Sequence, residues 1–251
     1  VMAITTTGTC LSIIFFLYTH SAERKRLLAE FEVAAYQPIS EVNNLLQANL
    51  TAVQSLVALY ESSENVNREE FRDFASSVLS WHKSIKALEW LPTVLADERI
   101  SFETRAQQEG LSDFQITERA LDGGLVPAFG RPEYFPVYYV EPLSSNENAL
   151  GFDVMSETTR GVTLGRARKT EKLTASDPIS LVQNTNNEYG VLIAAPVFDH
   201  SKSSEDTAES DKQLLGFVVA VVGIPKLFGA AKKLWLEDTD FEDFYVFANL
   251  N

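Results

Sequence analysis

Residues that bind metals or form disulfides are scarce in this sequence. It has one cysteine, Cys10, and three histidines, His20, His82 and His200, which are far apart along the chain. A single thiol cannot form a disulfide within the chain, and none of these residues has the spacing of a zinc site. We therefore predict no metal centre and no bound cofactor.

Basic residues are also few. The 251 residues include 21 Lys and Arg against 35 Asp and Glu, which gives a formal net charge of −14. Because nucleic-acid backbones require a clustered basic surface, this balance argues against a nucleic-acid partner. The densest basic group outside the N-terminal region lies on a predicted helix and consists of Arg160, Arg166, Arg168 and Lys169. A solvated helix face is the favoured interpretation, and a pocket arginine that holds a ligand carboxylate is the alternative.

Catalytic motifs are missing as well. The sequence has no G-x-S-x-G elbow and no G-x-G-x-x-G loop, and residues 223–229 lack the Gly-Lys-Ser/Thr of a phosphate loop. The acidic group at 237–243 lacks the alternating ligands of a calcium loop. Carboxylate pairs such as Asp153 with Glu157 are expected by chance in a chain this acidic. We predict that this chain is not an enzyme.

Apolar residues, in contrast, are plentiful. The sequence is 45% hydrophobic and 11% aromatic, enough for a sizeable core. Residues 1–19 carry no charge and end in an aromatic-rich run, which predicts a transmembrane helix over residues 1–20. A cleaved signal peptide and a buried soluble helix are less favoured, since a basic start and a polar face are both missing. The abrupt start leads us to expect a fragment of a longer protein.

Residues 21–64 have the pattern of a long amphipathic helix. After Pro38, apolar residues recur in steps of three and four with one Asn among them: Ile39, Val42, Leu46, Asn49, Val53, Leu56 and Tyr60. This predicts a stalk helix that is interrupted or kinked near Pro38. Its apolar stripe packs either on the chain's own domain or on a second copy of the chain, and the pattern leaves both open.

Helix and strand patterns alternate from residue 65 onward, which predicts an α+β fold. Asn67 with Glu70 forms a helix start signal, and Asp97 is expected to cap a second helix that ends near Gly110. Strands are predicted at 85–95, 114–116, 134–139, 179–183, 191–198, 214–224 and 244–248. The polar stretch between the fifth and sixth of these strands is predicted to be a loop.

Several motifs occur in the order and spacing of one known family. They are Leu88-Glu-Trp-Leu-Pro-Thr-Val, Arg99-Ile-Ser-Phe-Glu, Arg131-Pro-Glu-Tyr-Phe-Pro-Val-Tyr-Tyr-Val-Glu-Pro, Gly151-Phe-Asp-Val-Met-Ser, Arg166-Ala-Arg-Lys-Thr, Ile179-Ser-Leu-Val-Gln and Pro196-Val-Phe. With these motifs, residues 81–225 resemble the CHASE family. Members of this family are extracytoplasmic sensory domains of transmembrane histidine kinases, nucleotide cyclases and diguanylate cyclases.

The resemblance implies a domain organisation. The expected parts are a transmembrane helix (1–20), a stalk helix (21–64), a membrane-distal PAS-like ligand-sensing unit (65–200) and a truncated membrane-proximal PAS-like unit (201–251). Residues 21–251 would be extracytoplasmic or periplasmic, and would form a homodimer through the stalk. The output domain, a histidine kinase or a diguanylate cyclase, would lie outside this sequence. The expected function is binding of a small molecule for signal transduction; a membrane-anchored enzyme and a non-binding structural dimerisation module are the alternatives.

The resemblance also implies where the ligand binds. The expected pocket residues are Tyr134, Val137, Tyr139, Phe152, Val154, Leu173, Ser176, Leu181 and Ile193. Ordinary core packing is the alternative for each of them. In plant members that bind cytokinin, an Asp follows the arginine that corresponds to Arg131. Here Pro132 stands in that place and offers no side-chain acceptor, so we expect a ligand other than a cytokinin bound in that mode.

Overall fold

The computed structural model describes residues 2–120, 123–180, 189–199 and 212–224. Contacts divide the chain into one unit that begins with residues 1–44 and a larger unit, residues 45–228. The sheet and the candidate site described below both belong to the larger unit.

The first element is one long helix, α1, Met2–Ser62. It continues through Pro38, so the helix is not interrupted there, and the alternative of a kink stays a prediction. A proline removes one backbone N–H, but the hydrogen bonds of the neighbouring turns can keep the chain helical. Within the part of the chain that the structure describes, no helix is both long enough and apolar enough to cross a membrane. The predicted transmembrane helix over residues 1–20 is therefore not confirmed.

The last turns of α1 pack on the chain's own core. Val53 and Leu56 are fully buried, and Tyr60 is 8% exposed. Asn49, which interrupts the apolar series, is also buried, and its Oδ1 accepts a hydrogen bond of 2.8 Å from Ser84 Oγ. From Asn49 onward, the stripe therefore packs within one chain.

Three shorter α-helices are described in the larger unit: α2 Arg68–Trp81, α3 Arg99–Gln108 and α4 Thr158–Thr170. The predicted start of α2 is confirmed, because the Asn67 side chain accepts hydrogen bonds from the amides of Glu69 and Glu70. The predicted cap of α3 at Asp97 is wrong. That helix begins after Glu98, and its first turn has no side-chain cap.

An antiparallel sheet of six strands forms the centre of the larger unit. Its strands are β1 Ile85–Pro92, β6 Tyr139–Glu141, β7 Thr174–Ala175, β8 Ile179–Ser180, β9 Tyr189–Phe198 and β10 Leu214–Gly223. Their order is β6-β1-β10-β9-β7, and β8 also pairs with β9. Two further pairs are β2 Val94–Leu95 with β5 Glu133–Tyr134, and β3 Thr117–Arg119 with β4 Leu125–Pro127.

Strand β10 lies in the middle of the sheet, between β1 and β9. Val218 is opposite Trp90 on one side and opposite Ala195 on the other. Strand β10, which follows residue 200, therefore shares a sheet with strands that precede that residue. The predicted domain boundaries stay a prediction. Most of the predicted membrane-proximal unit, 201–251, lies outside the described residues and stays a prediction.

Three predicted strands differ from the structure. The predicted strand at 85–95 is divided into β1 and β2, which belong to different sheets. The predicted strand at 134–139 is split into the short strands β5 and β6, because Pro136 between them has no N–H to donate to a strand ladder. The predicted strand at 114–116 lies just before the observed β3. The predicted strand at 244–248 lies outside the described residues.

Both faces of the sheet are buried. Side chains on one face pack with α1, α2 and α3, and this is here named the α1 face; its sheet residues include Leu88, Trp90, Ile193, Val218 and Ala220. Side chains on the opposite face pack with α4, and this is named the α4 face; its sheet residues include Ala87, Leu91, Leu192, Ala194, Phe217 and Val219. The two sets alternate along each strand, as the period of two requires.

Candidate ligand-binding site

The predicted pocket residues are divided between the two faces of the sheet. Tyr134, Tyr139, Leu173 and Ile193 belong to the cluster on the α1 face. Val137, Phe152 and Val154 belong to the cluster on the α4 face. Ser176 is buried, and its Oγ accepts a hydrogen bond of 2.9 Å from the amide of Leu192. Leu181 lies outside the described residues. The structure therefore brings three of these side chains together on the α4 face.

Tyr134 positions the chain around it. The ring is 2% exposed, and its hydroxyl accepts a hydrogen bond of 3.0 Å from the amide of Arg131. The hydroxyl also donates to the carbonyl of Phe129 at 3.1 Å. The guanidinium of Arg99 lies 5.1 Å from the ring centroid. These contacts give Tyr134 a clear structural role in the loop that precedes β5.

Arg131 joins two carboxylates that come from different parts of the chain. Its Nη1 bonds Asp153 Oδ2 at 3.1 Å, and its Nη2 bonds Glu118. Asp153 is fully buried and also accepts a hydrogen bond of 2.9 Å from the amide of Phe135. Burial raises the pKa of Asp153, while this hydrogen bond and the charge of Arg131 act in the opposite direction. The cluster fixes β3 and the turn after Phe152 to the chain before β5.

The α4 face contains one further acid, Glu89 of β1. It is 5% exposed, and burial raises its pKa to about 7, against the opposing effect of the Arg160 charge. On the same strand Ala87 and Leu91, two residues away on either side, belong to the α4-face core. Glu89 is thus a carboxyl group within an apolar layer. The charge that opposes the effect of burial on its pKa belongs to Arg160 of α4.

Arg160 lies inward on α4. Its side chain is only 16% exposed, whereas that of Arg168 is 46% exposed. Burial lowers the pKa of Arg160, and the charges of Glu89 and Glu157 raise it. Its guanidinium lies 5.6 Å from the centroid of the Phe152 ring. The favoured interpretation of a solvated helix face therefore holds for Arg168 and is wrong for Arg160.

Glu89 is not among the predicted pocket residues. The sequence does contain a signal for it: Glu89 is a charged residue within a predicted strand, and the residues two positions away on either side, Ala87 and Leu91, are apolar. Such a charge points into the core if the strand is buried on both faces, as β1 is. Among the described residues, no three His, Cys, Asp or Glu side chains are grouped to hold a metal ion.

The sequence matches one known protein family over most of its length. The model of the CHASE domain matches residues 64–248. This chain belongs to the CHASE domain family. The match covers the sheet, Arg131 with its two carboxylates, and both Glu89 and Arg160.

Two curated relatives, both from Dictyostelium discoideum, are signalling enzymes by name. The hybrid signal transduction histidine kinase A is 21% identical over 246 residues, which is 96% of this chain and 11% of that protein. The germination-specific adenylate cyclase is 22% identical over 204 residues, which is 81% of this chain and 23% of that protein. This chain therefore spans less than a quarter of either relative.

Solved structures with distant similarity include two ligand-binding proteins. An extracellular ligand binding receptor from Desulfohalobium retbaense has a TM-score of 0.49 and 15% identity, covering 82% of this chain and 27% of that one. The ligand-binding domain of the Pseudomonas aeruginosa amino acid chemoreceptor PctC, in complex with GABA, has a TM-score of 0.45 and 12% identity. It covers 79% of this CHASE domain and 65% of that chain.

Proposed function

We propose that this CHASE domain is the extracytoplasmic sensing region of a signalling receptor, and that it binds a small molecule on the α4 face between Glu89 and Arg160. Membership of a family of sensory domains supports the general role. In this proposal the predicted anchor at residues 1–20 and a homodimer through α1 connect the domain to a histidine kinase or cyclase output. The names of the two relatives support such an output.

The observation that carries the proposal is the position of Glu89. Within the described residues, the other two buried acids, Glu118 and Asp153, both bond Arg131. For Glu89 the opposing charge is instead that of Arg160, which lowers the pKa of Glu89 and belongs to a helix that packs over the sheet. Arg160 itself pairs with Glu157 at 3.6 Å. A ligand with an N–H donor for Glu89 and an acceptor for Arg160 would bind both elements at once. Such a ligand stabilises one position of α4 relative to β1, which is what a receptor input requires.

The apolar part of the ligand would contact side chains already packed at this place. Phe152 lies under the guanidinium of Arg160, and Val137 and Val154 belong to the same cluster. These three are the predicted pocket residues that the proposal retains. The residues on the α1 face and Ser176 are assigned to core packing in this proposal, and Leu181, which lies outside the described residues, stays a prediction.

A thermal-shift screen of the full chain against adenine derivatives, amino acids and small carboxylates tests the proposal. We expect a compound that raises the melting temperature and that binds at least about tenfold more weakly to Arg160→Met, since a buried polar partner is lost. Arg168→Met is the matched control on the same helix, and it should bind like the wild type. Equal binding to Arg160→Met would place the ligand elsewhere, and chemical turnover of the compound would favour the alternative of an enzyme.

A further inference from the structure

A cleft lies on the α1 face of the sheet, the face opposite to α4. Its volume is about 660 Å³. It is lined by the turn between α1 and α2 and by aromatic side chains from several elements: Tyr60, Trp90, Phe102, Tyr138 and Tyr139. Cavities of this size bind small molecules, and aromatic walls favour a flat apolar group.

Arg68, the first residue of α2, contributes a guanidinium to this cleft. Its Nη1 donates to the carbonyl of Tyr138 at 3.1 Å. The guanidinium lies 4.7 Å from the Tyr139 ring centroid and 5.2 Å from that of Tyr138. Its Nε and Nη2 are buried and have no hydrogen-bond partner among the described residues. Since guanidinium N–H groups lie in the plane of the group, contact with a ring face leaves them without an acceptor.

Tyr60 offers another unpartnered group at the same cleft. Its ring is stacked on Trp90 with the centroids 3.8 Å apart. Its hydroxyl is buried and has no hydrogen-bond partner in the described part of the chain. Burial raises the pKa of Tyr60 above its usual range, so the hydroxyl keeps its proton and can donate. The cleft therefore contains hydrogen-bond donors from two side chains, Arg68 and Tyr60, and no acceptor among the described residues bonds them.

The acids around the cleft do not provide that acceptor. Glu64, Glu69 and Glu109 line it but are exposed to solvent. Glu69 pairs with Arg72 at 3.3 Å, and Glu109 accepts the hydrogen bond of the Tyr138 hydroxyl. Among the described residues, no carboxylate accepts a hydrogen bond from Nε or Nη2 of Arg68.

We propose that this cleft is a second binding site, which takes a small aromatic carboxylate. The two carboxylate oxygens accept from Nε and Nη2 of Arg68, a side-by-side arrangement that suits a guanidinium, and the Tyr60 hydroxyl offers a further donor. The ring of the ligand packs against the aromatic walls. A neutral aromatic compound would leave the buried N–H groups unsatisfied, and a bare carboxylate would leave the walls uncovered, so the site requires both parts.

Isothermal titration calorimetry on the full 251-residue chain tests this proposal. The probes are 2-naphthoate, its neutral analogue 2-naphthamide, and acetate. We expect 2-naphthoate to bind at least about tenfold more tightly than either other probe. Arg68→Met should weaken 2-naphthoate binding by a similar factor. Arg72→Met removes an arginine that is 55% exposed one turn further along α2, and should leave the affinity unchanged.

Equal affinity of the wild type for 2-naphthoate and 2-naphthamide would overturn the proposal, as would the absence of binding at millimolar concentrations. The comparison on the wild type decides the matter even if Arg68→Met does not fold. Tyr60→Phe, which removes only the hydroxyl, should weaken 2-naphthoate a few-fold. Arg160→Met should have no effect. Loss of binding in Arg160→Met with retention in Arg68→Met would move the carboxylate to the α4 face and overturn the second site.

Discussion

Arg131 neutralises two carboxylates that the fold removes from water. Asp153 has no exposed side-chain surface, and the Glu118 side chain is 9% exposed. In Arg131→Ala both acids would lose their cation. We expect the free energy of unfolding to fall by about 3 kcal/mol, as is typical when one partner of a buried ion pair is removed. Urea denaturation followed by circular dichroism measures the change.

The matched control is Arg168→Ala, which breaks a surface pair. Arg168 bonds Glu133 at 2.6 Å, with the two side chains 46% and 29% exposed. Because water and salt screen such a pair, we expect a loss below about 1 kcal/mol. Equal losses in the two variants would show that Arg131 has no special structural role.

Glu89 is expected to make stability depend on pH. Burial raises its pKa in the folded protein from the usual 4.5 to about 7. Between these two values the folded state holds a proton that the unfolded chain has released, so the free energy of unfolding falls as the pH rises. A shift of this size corresponds to a loss of about 3 kcal/mol once the pH is above both values.

Comparison with Glu89→Gln isolates this contribution. We expect the variant and the wild type to differ little near pH 4, and the variant to be more stable by up to about 3 kcal/mol near pH 8. Urea midpoints at each pH give the difference. Glu98→Gln, at an exposed residue before α3, should show no such trend. A difference between Glu89→Gln and wild type that stays constant with pH would contradict the assignment.

At the scale of elements, the last turns of α1 depend on the chain's own core. Leu56 is fully buried, whereas Leu46 on the same stripe is 36% exposed. We expect Leu56→Ala to lower the free energy of unfolding by about 3 kcal/mol, through lost burial and the cavity left behind. Leu46→Ala should cost less than about 1 kcal/mol. Equal costs, measured by urea denaturation at low protein concentration, would contradict the observed difference in burial.

The elements that the sequence predicts well are those with an unbroken period. The stripe of α1 repeats in steps of three and four, and β9 and β10 are long apolar runs, so the type of each element and its burial follow from the pattern. The surface on which the α1 stripe packs does not follow from it. The start of α2 follows from one local interaction at Asn67. Neither case requires knowledge of distant contacts.

The pocket could not be predicted in this way. Val137 and Tyr139 are two residues apart and would share a face on a regular strand, yet they belong to clusters on opposite faces. The reason is that β5 ends at Tyr134 and β6 begins at Tyr139, so the irregular chain between them breaks the alternation. The inward position of Arg160 likewise depends on how α4 packs on the sheet, which no local pattern encodes.

At the scale of the whole molecule, α1 is much longer than the part that packs in the larger unit. Residues 2–44 of α1 precede the larger unit, which begins at residue 45. In proteins most of the stability of a helix comes from the packing of its apolar face. A second copy of α1 would provide it, which is why the proposed function includes a homodimer.

Disulfide crosslinking tests the dimer. Val42 lies on the predicted stripe and is half-buried, and Asn44, two residues on, is exposed. In a background with Cys10→Ser, which removes the natural thiol, we expect Val42→Cys to form a covalent dimer under mild oxidation because stripe residues from two helices face each other. Asn44→Cys is the control, since two residues correspond to about 200° around a helix with 3.6 residues per turn.

Dimer yield on non-reducing gels should be high for Val42→Cys and low for Asn44→Cys. Similar yields for both would indicate random collision, and no product from Val42→Cys would remove the stalk dimer and with it the proposed route from ligand to output domain.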